Sequence, residues 1–92
     1  MTKPKSTAPR SGRELRSRVL QEHAITGAAA LSMLDVACAA LDQALEAEAI
    51  LKRDGLVTGG VRGARAHPLV NVSRDARNRL LAALRALGVE LS

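Results

Sequence analysis

Apolar positions in this chain recur at helical spacing over three stretches, separated by breaks rich in glycine and proline. The first stretch is short: Leu15, Val19 and His23 fall four residues apart, on one face of a helix. Ser11 and Glu14 precede that face in S-x-x-E spacing, a capping box in which each side chain satisfies the other residue's free backbone N–H. The pattern predicts a helix from Ser11 to about His23 or Ala24. Thr26 can cap a second helix that runs to about Asp54, with Gly55 placed as the left-handed residue that stops it. Such a helix is a rod of about 42 Å, whereas a compact chain of this length has a radius of gyration of about 12 Å.

Projected on a helical wheel, Leu31, Leu34, Cys38, Leu41 and Leu45 share one stripe of the long helix, with the alternating three- and four-residue steps of a coiled-coil seam. Met33, Val36, Ala37, Ala40, Ala44, Ala47 and Leu51 share a second. Two apolar faces need two partners, and two shorter helices do not cover both along the full length. Oligomerisation is the economical solution, with Leu31, Leu34, Leu41, Ala44 and Leu45 expected at the oligomer interface.

Residues 55–72 interrupt the helical period with four of the chain's seven glycines and the His67-Pro68 pair, whose first residue is pushed out of the α region. Leu56-Val57-Thr58 and Val61-Arg62 around Gly59-Gly60 fit a small hairpin. A segment this long is either a binding element or disordered. Ser73 is placed to cap a third helix with Asp75 in its first turn, ending at Leu87 before Gly88, where Val89 and Leu91 can close on the last turn. Ala76, Leu80, Ala83, Leu84 and Leu87 form its core face; Arg74, Asn78 and Arg85 line up opposite, with Leu81 beside them. The fold class is all-α: a short N-terminal helix, a long central helix, a Gly-rich loop and a C-terminal helix, making a helical hairpin that oligomerises. Residues 1–10, with two prolines, two lysines and no large apolar residue after Met1, read as a disordered basic tail, and residues 11–92 as one helical domain.

Composition narrows the function. The 92 residues contain no Phe, Trp or Tyr, which excludes base stacking on aromatic platforms and leaves a core of small and aliphatic side chains. A single cysteine, Cys38, forms no internal disulfide and fits a reducing cytoplasm. No apolar core of a signal peptide follows the basic N-terminus, and Asp35 interrupts the most apolar stretch, so neither a leader nor a membrane span is expected. Charge falls in three blocks: residues 1–18 are net +5, residues 19–54 net −4 and residues 55–92 net +4.

No catalytic constellation is present. His23 lies on an apolar face as a packed or boundary residue, and His67 before Pro68 shapes a loop. Asp35, Asp42 and Glu46 form an acidic stripe on the long helix that suits a solvated face, or an arginine of a neighbouring subunit, better than a metal. Gly59-Gly60 with Gly63 lacks the Lys-Ser/Thr pair and following helix of a phosphate loop. No enzyme activity, metal or cofactor is expected. Lys and Arg that neutralise phosphates release counterions and give sequence-independent affinity for DNA, and Lys3, Lys5, Arg10, Arg13, Arg16, Arg18, Arg62 and Arg65 are the natural DNA-binding set. No helix carries an Asn/Gln/Arg cluster spaced to read bases in the major groove.

The run Asp54-Gly55-Leu56-Val57, the Gly-rich stretch, Arg65-Ala66-His67-Pro68-Leu69-Val70, Arg74-Asp75-Ala76 and Leu84 through Leu87-Gly88-Val89 resembles a family of phage terminase small subunits. Upstream, Cys38-Ala39-Ala40-Leu41-Asp42 resembles that family's central helix, so the likeness spans roughly residues 11–91. The resemblance implies a non-enzymatic helical protein of viral genome packaging in the cytoplasm of a bacterial host. It would assemble as a homo-oligomeric ring, bind double-stranded viral DNA and present it to the terminase large subunit that carries ATPase and nuclease activity. Family members commonly continue past the Leu-Gly-aliphatic end with a short Thr/Pro-containing segment and an arginine, whereas this sequence stops at Ser92; a large-subunit contact carried there would be missing. A helical adaptor or regulatory dimer that binds protein, its charge serving solubility, is the alternative.

Overall fold

The computed structural model describes residues 8–55, 57–58 and 65–89, with 57–58 and 65–66 described through their backbone. Three helices carry the architecture: α1 (Gly12–Glu22), α2 (Ala28–Asp54) and α3 (Leu69–Leu87). Between α2 and α3 the two-residue strands β1 (Val57–Thr58) and β2 (Arg65–Ala66) pair antiparallel, Val57 opposite Ala66. The hairpin therefore closes on Arg65-Ala66, not on Val61-Arg62, which lies with Gly59-Gly60 outside the described residues. The tail up to residue 7 and Leu91 lie outside them as well.

α1 begins where the S-x-x-E pattern places it. The Ser11 hydroxyl accepts from the Glu14 N–H at 3.0 Å, while the Glu14 carboxylate turns to the Arg10 N–H at 2.9 Å instead of that of Ser11. α2 is capped differently from expectation. Gly27 occupies the N-cap with φ 93° and contributes no side chain, its carbonyl accepting from Leu31. The chain enters α2 through a positive φ that Thr26 would adopt only at a steric cost. At the other end Gly55 has φ 91° and ψ 165°. That is a positive-φ extended residue rather than a left-handed helical one, and it sends the chain straight into β1.

α3 starts at Leu69, four residues before Ser73, with Pro68 at the N-cap, whose φ of −56° is already helical. The imidazole of His67 supplies the missing cap: its Nδ1 accepts the Leu69 N–H at 3.1 Å. With Nδ1 accepting, the ring proton resides on Nε2, which lies 3.3 Å from Asp54 Oδ2 and ties the start of α3 to the end of α2. Ser73 sits inside the helix and its hydroxyl donates to Glu48 at 3.2 Å. Gly88 ends α3 in the left-handed conformation, and the Val89 N–H reaches back to the Leu84 carbonyl at 2.9 Å. Val89 then turns its side chain into the core.

α2 and α3 pack antiparallel, and α1 folds back on the N-terminal half of α2. Leu15 and Val19 of α1, Leu34, Ala37, Ala40 and Leu41 of α2, and Leu80, Ala83, Leu84 and Val89 meet in one core. Its small residues let the helices approach closely. The two stripes expected on α2 merge into a single buried arc of Leu34, Ala37, Ala40, Leu41, Ala44, Ala47 and Leu51. Leu34, Leu41 and Ala44, expected at a subunit seam, are thus filled in by α1 and α3 of the same chain, with Leu45 half-buried beside them and Leu31 at their edge. Among the described residues the exposed large apolar side chains are Leu20, Met33, Val36 and Leu81.

The molecule measures 53 × 38 × 17 Å with a radius of gyration of 16.0 Å. A helix with its side chains is about 10–12 Å across, so the helices lie in a single layer. By length and composition α2 is apolar enough to cross a membrane despite Asp35; in this fold its buried arc packs against α1 and α3.

Candidate nucleic-acid interface

The basic face of α1 is held by an unusually close crossing with α2. The Gly12 N–H, one of the free donors of the helix start, donates to Asp42 Oδ1 at 2.8 Å. A Cβ placed on Gly12 would lie 2.4 Å from the Cys38 carbonyl oxygen and 2.6 Å from Asp42 Oδ2. Only glycine fits where α1 touches the backbone of α2. A second tie follows one turn on, where the Arg16 guanidinium forms an ion pair with Asp35. Two members of the acidic stripe of α2 thus find partners in the same chain: Asp35 takes an arginine and Asp42 a helix N-terminus, which also suits its charge to the helix dipole.

These ties sort the cations expected to bind DNA. Arg10 and Arg13 are exposed at the start of α1. Arg16 is engaged with Asp35, and Arg18 lies 3.7 Å from Glu14. Arg65 is placed in β2 by its backbone, which brings it to the base of the hairpin beyond α2. Lys3, Lys5 and Arg62 lie outside the described residues. The structure therefore brings Arg10, Arg13, Arg16 and Arg18 onto one short helix and its entry, and sets Arg65 apart from them at the end of the α2–α3 pair.

A second cationic region lies along α3. Arg74 and Arg85 are exposed, as is Leu81, in the stripe expected opposite the core face. Lys52 and Arg53 in the last turn of α2 add to the same end as Arg74. A two-bond contact that the sequence did not announce is here: Arg77 grips Glu48 with two parallel bonds of 2.7 Å. The Arg77 bond, aided by the Ser73 hydroxyl, holds the Glu48 carboxyl below its ordinary range against the opposing effect of burial. The partners are 29 residues apart, and no local spacing announces them; antiparallel pairing of α2 and α3 with Asp54 opposite His67 does. Arg79 likewise reaches Gln43 at 2.8 Å. Asp54 is held below its ordinary value by the Arg53 hydrogen bond and then by that of His67.

Among the described residues nothing in this arrangement activates a nucleophile. Burial pushes the Cys38 thiol up, so it stays protonated and a poor nucleophile. Neither His23 nor His67 stands beside it; His23 closes the end of α1. Among the described residues no group of three or more His, Cys, Asp or Glu side chains is gathered to hold a metal. What the surface offers is fixed positive charge on helices, the chemistry of phosphate attraction.

A family model described as phage terminase, small subunit, matches residues 15–92. No curated protein and no solved structure matches the chain. The match covers all three helices from Leu15 onward and leaves Lys3, Lys5, Arg10 and Arg13 ahead of it.

Proposed function

The chain belongs to the phage terminase small-subunit family, and from that membership in phage DNA packaging we propose that it is the non-enzymatic subunit that binds double-stranded viral DNA. In this reading it presents that DNA to the large ATPase and nuclease subunit, in the cytoplasm of the bacterial host. The observation that carries the reading is the family match over residues 15–92. The charge layout supports it: Asp35 and Asp42 of the acidic centre are engaged by Arg16 and the Gly12 N–H, while Arg10 and Arg13 stay exposed at the start of α1. Lys3 and Lys5 just ahead of them add charge that a duplex backbone would neutralise.

A homo-oligomeric ring is part of the proposal. The single-layer fold leaves Met33 and Val36 on α2 in contact with water, and a second copy packed on that face would bury them. Native mass spectrometry of the full chain, with and without duplex DNA, tests the proposal together with a salt titration of DNA affinity. A closed assembly that takes up duplex, with affinity falling steeply as salt rises, is expected. A monomer or dimer indifferent to DNA would refute it and leave a protein-binding adaptor.

A further inference from the structure

Away from the three-helix core, the last turns of α2 and the first turns of α3 enclose a shallow open groove of about 470 Å³, lined by Glu48, Leu51, Lys52, Val70, Ser73 and Arg74. Its floor is apolar, formed by the nearly buried Leu51 and the half-buried Val70. Its one lining carboxylate is already spoken for, because Glu48 accepts both Arg77 bonds at 2.7 Å and the Ser73 hydroxyl at 3.2 Å. The charges left to act on a ligand are the exposed Lys52 on one wall and Arg74 on the other. Among the described residues Arg74 approaches only its neighbour Asp75, at 3.7 Å, and both side chains are more than 60% exposed, so water screens that pair.

An apolar floor between two cationic walls selects its occupant. A phosphate backbone would satisfy Lys52 and Arg74 yet leave Leu51 and Val70 wet. An uncharged aliphatic ligand would cover the floor and strand the cations. We infer that this groove docks an acidic peptide segment of a partner protein, one aliphatic side chain seated on Leu51 and Val70 and flanking carboxylates against Lys52 and Arg74. The surface is separate from the α1 cations proposed for DNA, so it serves a protein contact while DNA is bound.

The test is an NMR titration of the full-length protein, isotope-labelled, with a synthetic peptide in which two leucines are flanked by aspartate and glutamate. Saturable shifts confined to the six lining residues and their neighbours are expected. Replacing the leucines by serine should weaken binding about tenfold or more, since the floor then has nothing to cover it. The Lys52→Glu, Arg74→Glu double variant, altered only at exposed positions, should lose about tenfold in affinity with unchanged circular dichroism; Lys52→Arg with Arg74→Lys should retain binding. Shifts that map outside the groove, or equal binding of the serine peptide, would overturn the inference. So would displacement of the peptide by duplex DNA that shifts Leu51 and Val70 in the same way, which would make the groove a phosphate site. Loss of peptide binding leaves the DNA reading intact, because that rests on the family match and on the cations of α1.

Discussion

Replacing Gly12 by alanine should destabilise the protein, against the usual trend for a glycine in a helix. Alanine is the better helix former by up to about 1 kcal/mol, chiefly because it trims the freedom of the unfolded chain. At this position the new Cβ would lie 2.4 Å from the Cys38 carbonyl oxygen. That oxygen belongs to the backbone of α2 and has no rotamer to retreat into, so α1 must lift. Overpacking of this kind costs about 1–3 kcal/mol. Lifting α1 also stretches the 2.8 Å bond from Gly12 to Asp42, a hydrogen bond to a charged group worth about 1.5–3 kcal/mol. The losses exceed the gains by about 2 kcal/mol, which for a domain of this size lowers Tm by about 8–16 °C. Thermal unfolding followed by far-ultraviolet circular dichroism measures it, at one fixed protein concentration because association shifts Tm. A Gly12→Ala protein that melts at or above the wild-type temperature would refute the close-crossing argument and with it the fixed placement of Arg13.

Leu41→Glu, at a site 3% exposed, should collapse the helical signal by burying an unpaired charge, whereas Val36→Glu, at 43% exposure, should keep the helical signal and lower only the assembly mass seen by native mass spectrometry. Deleting residues 1–10 removes three positive charges and should weaken duplex binding and flatten its dependence on the logarithm of salt concentration by about 0.9 for each phosphate no longer neutralised; an identical slope would remove the tail from the DNA surface. Because Glu48 is depressed in the folded state, its contribution to stability is present above the ordinary carboxylate value of about 4.3 and is lost as pH falls below it. Arg77→Met should therefore flatten the fall of Tm on acidification, by a small amount since the pair is 43% and 37% exposed, and an unchanged acid limb would show the clamp to be idle.

What the sequence disclosed depended on how far apart the cooperating residues are. The α1 start was legible because Ser11 and Glu14 carry it within one turn, and the α3 end because Gly88 and Val89 sit next to the carbonyls they serve. The start of α3 was not: Ser73 has the right chemistry for a cap, but its hydroxyl is claimed by Glu48 across the helix pair, and the capping acceptor comes from the His67 ring. The hydrophobic period of α2 announced the helix, yet the side that faces the chain's own core was decided by where α1 and α3 converge. The candidate site followed the same division. Its basic composition was plain, while the pairing of Arg16 with Asp35 and of Arg77 with Glu48, which decides which cations remain for a ligand, is a property of the assembled helices alone.

The His67–Asp54 link and the β1–β2 ladder also make the molecule a convenient chassis. They join the two ends of the connection at its base, so residues inserted between Thr58 and Arg65 would lengthen a segment whose ends are already held together. Doubling such a loop costs only about 0.6 kcal/mol. A fluorescent or affinity tag spliced between Gly59 and Gly60 would leave α1 and both chain termini untouched, and would let a packaging assembly be observed without altering either cationic helix.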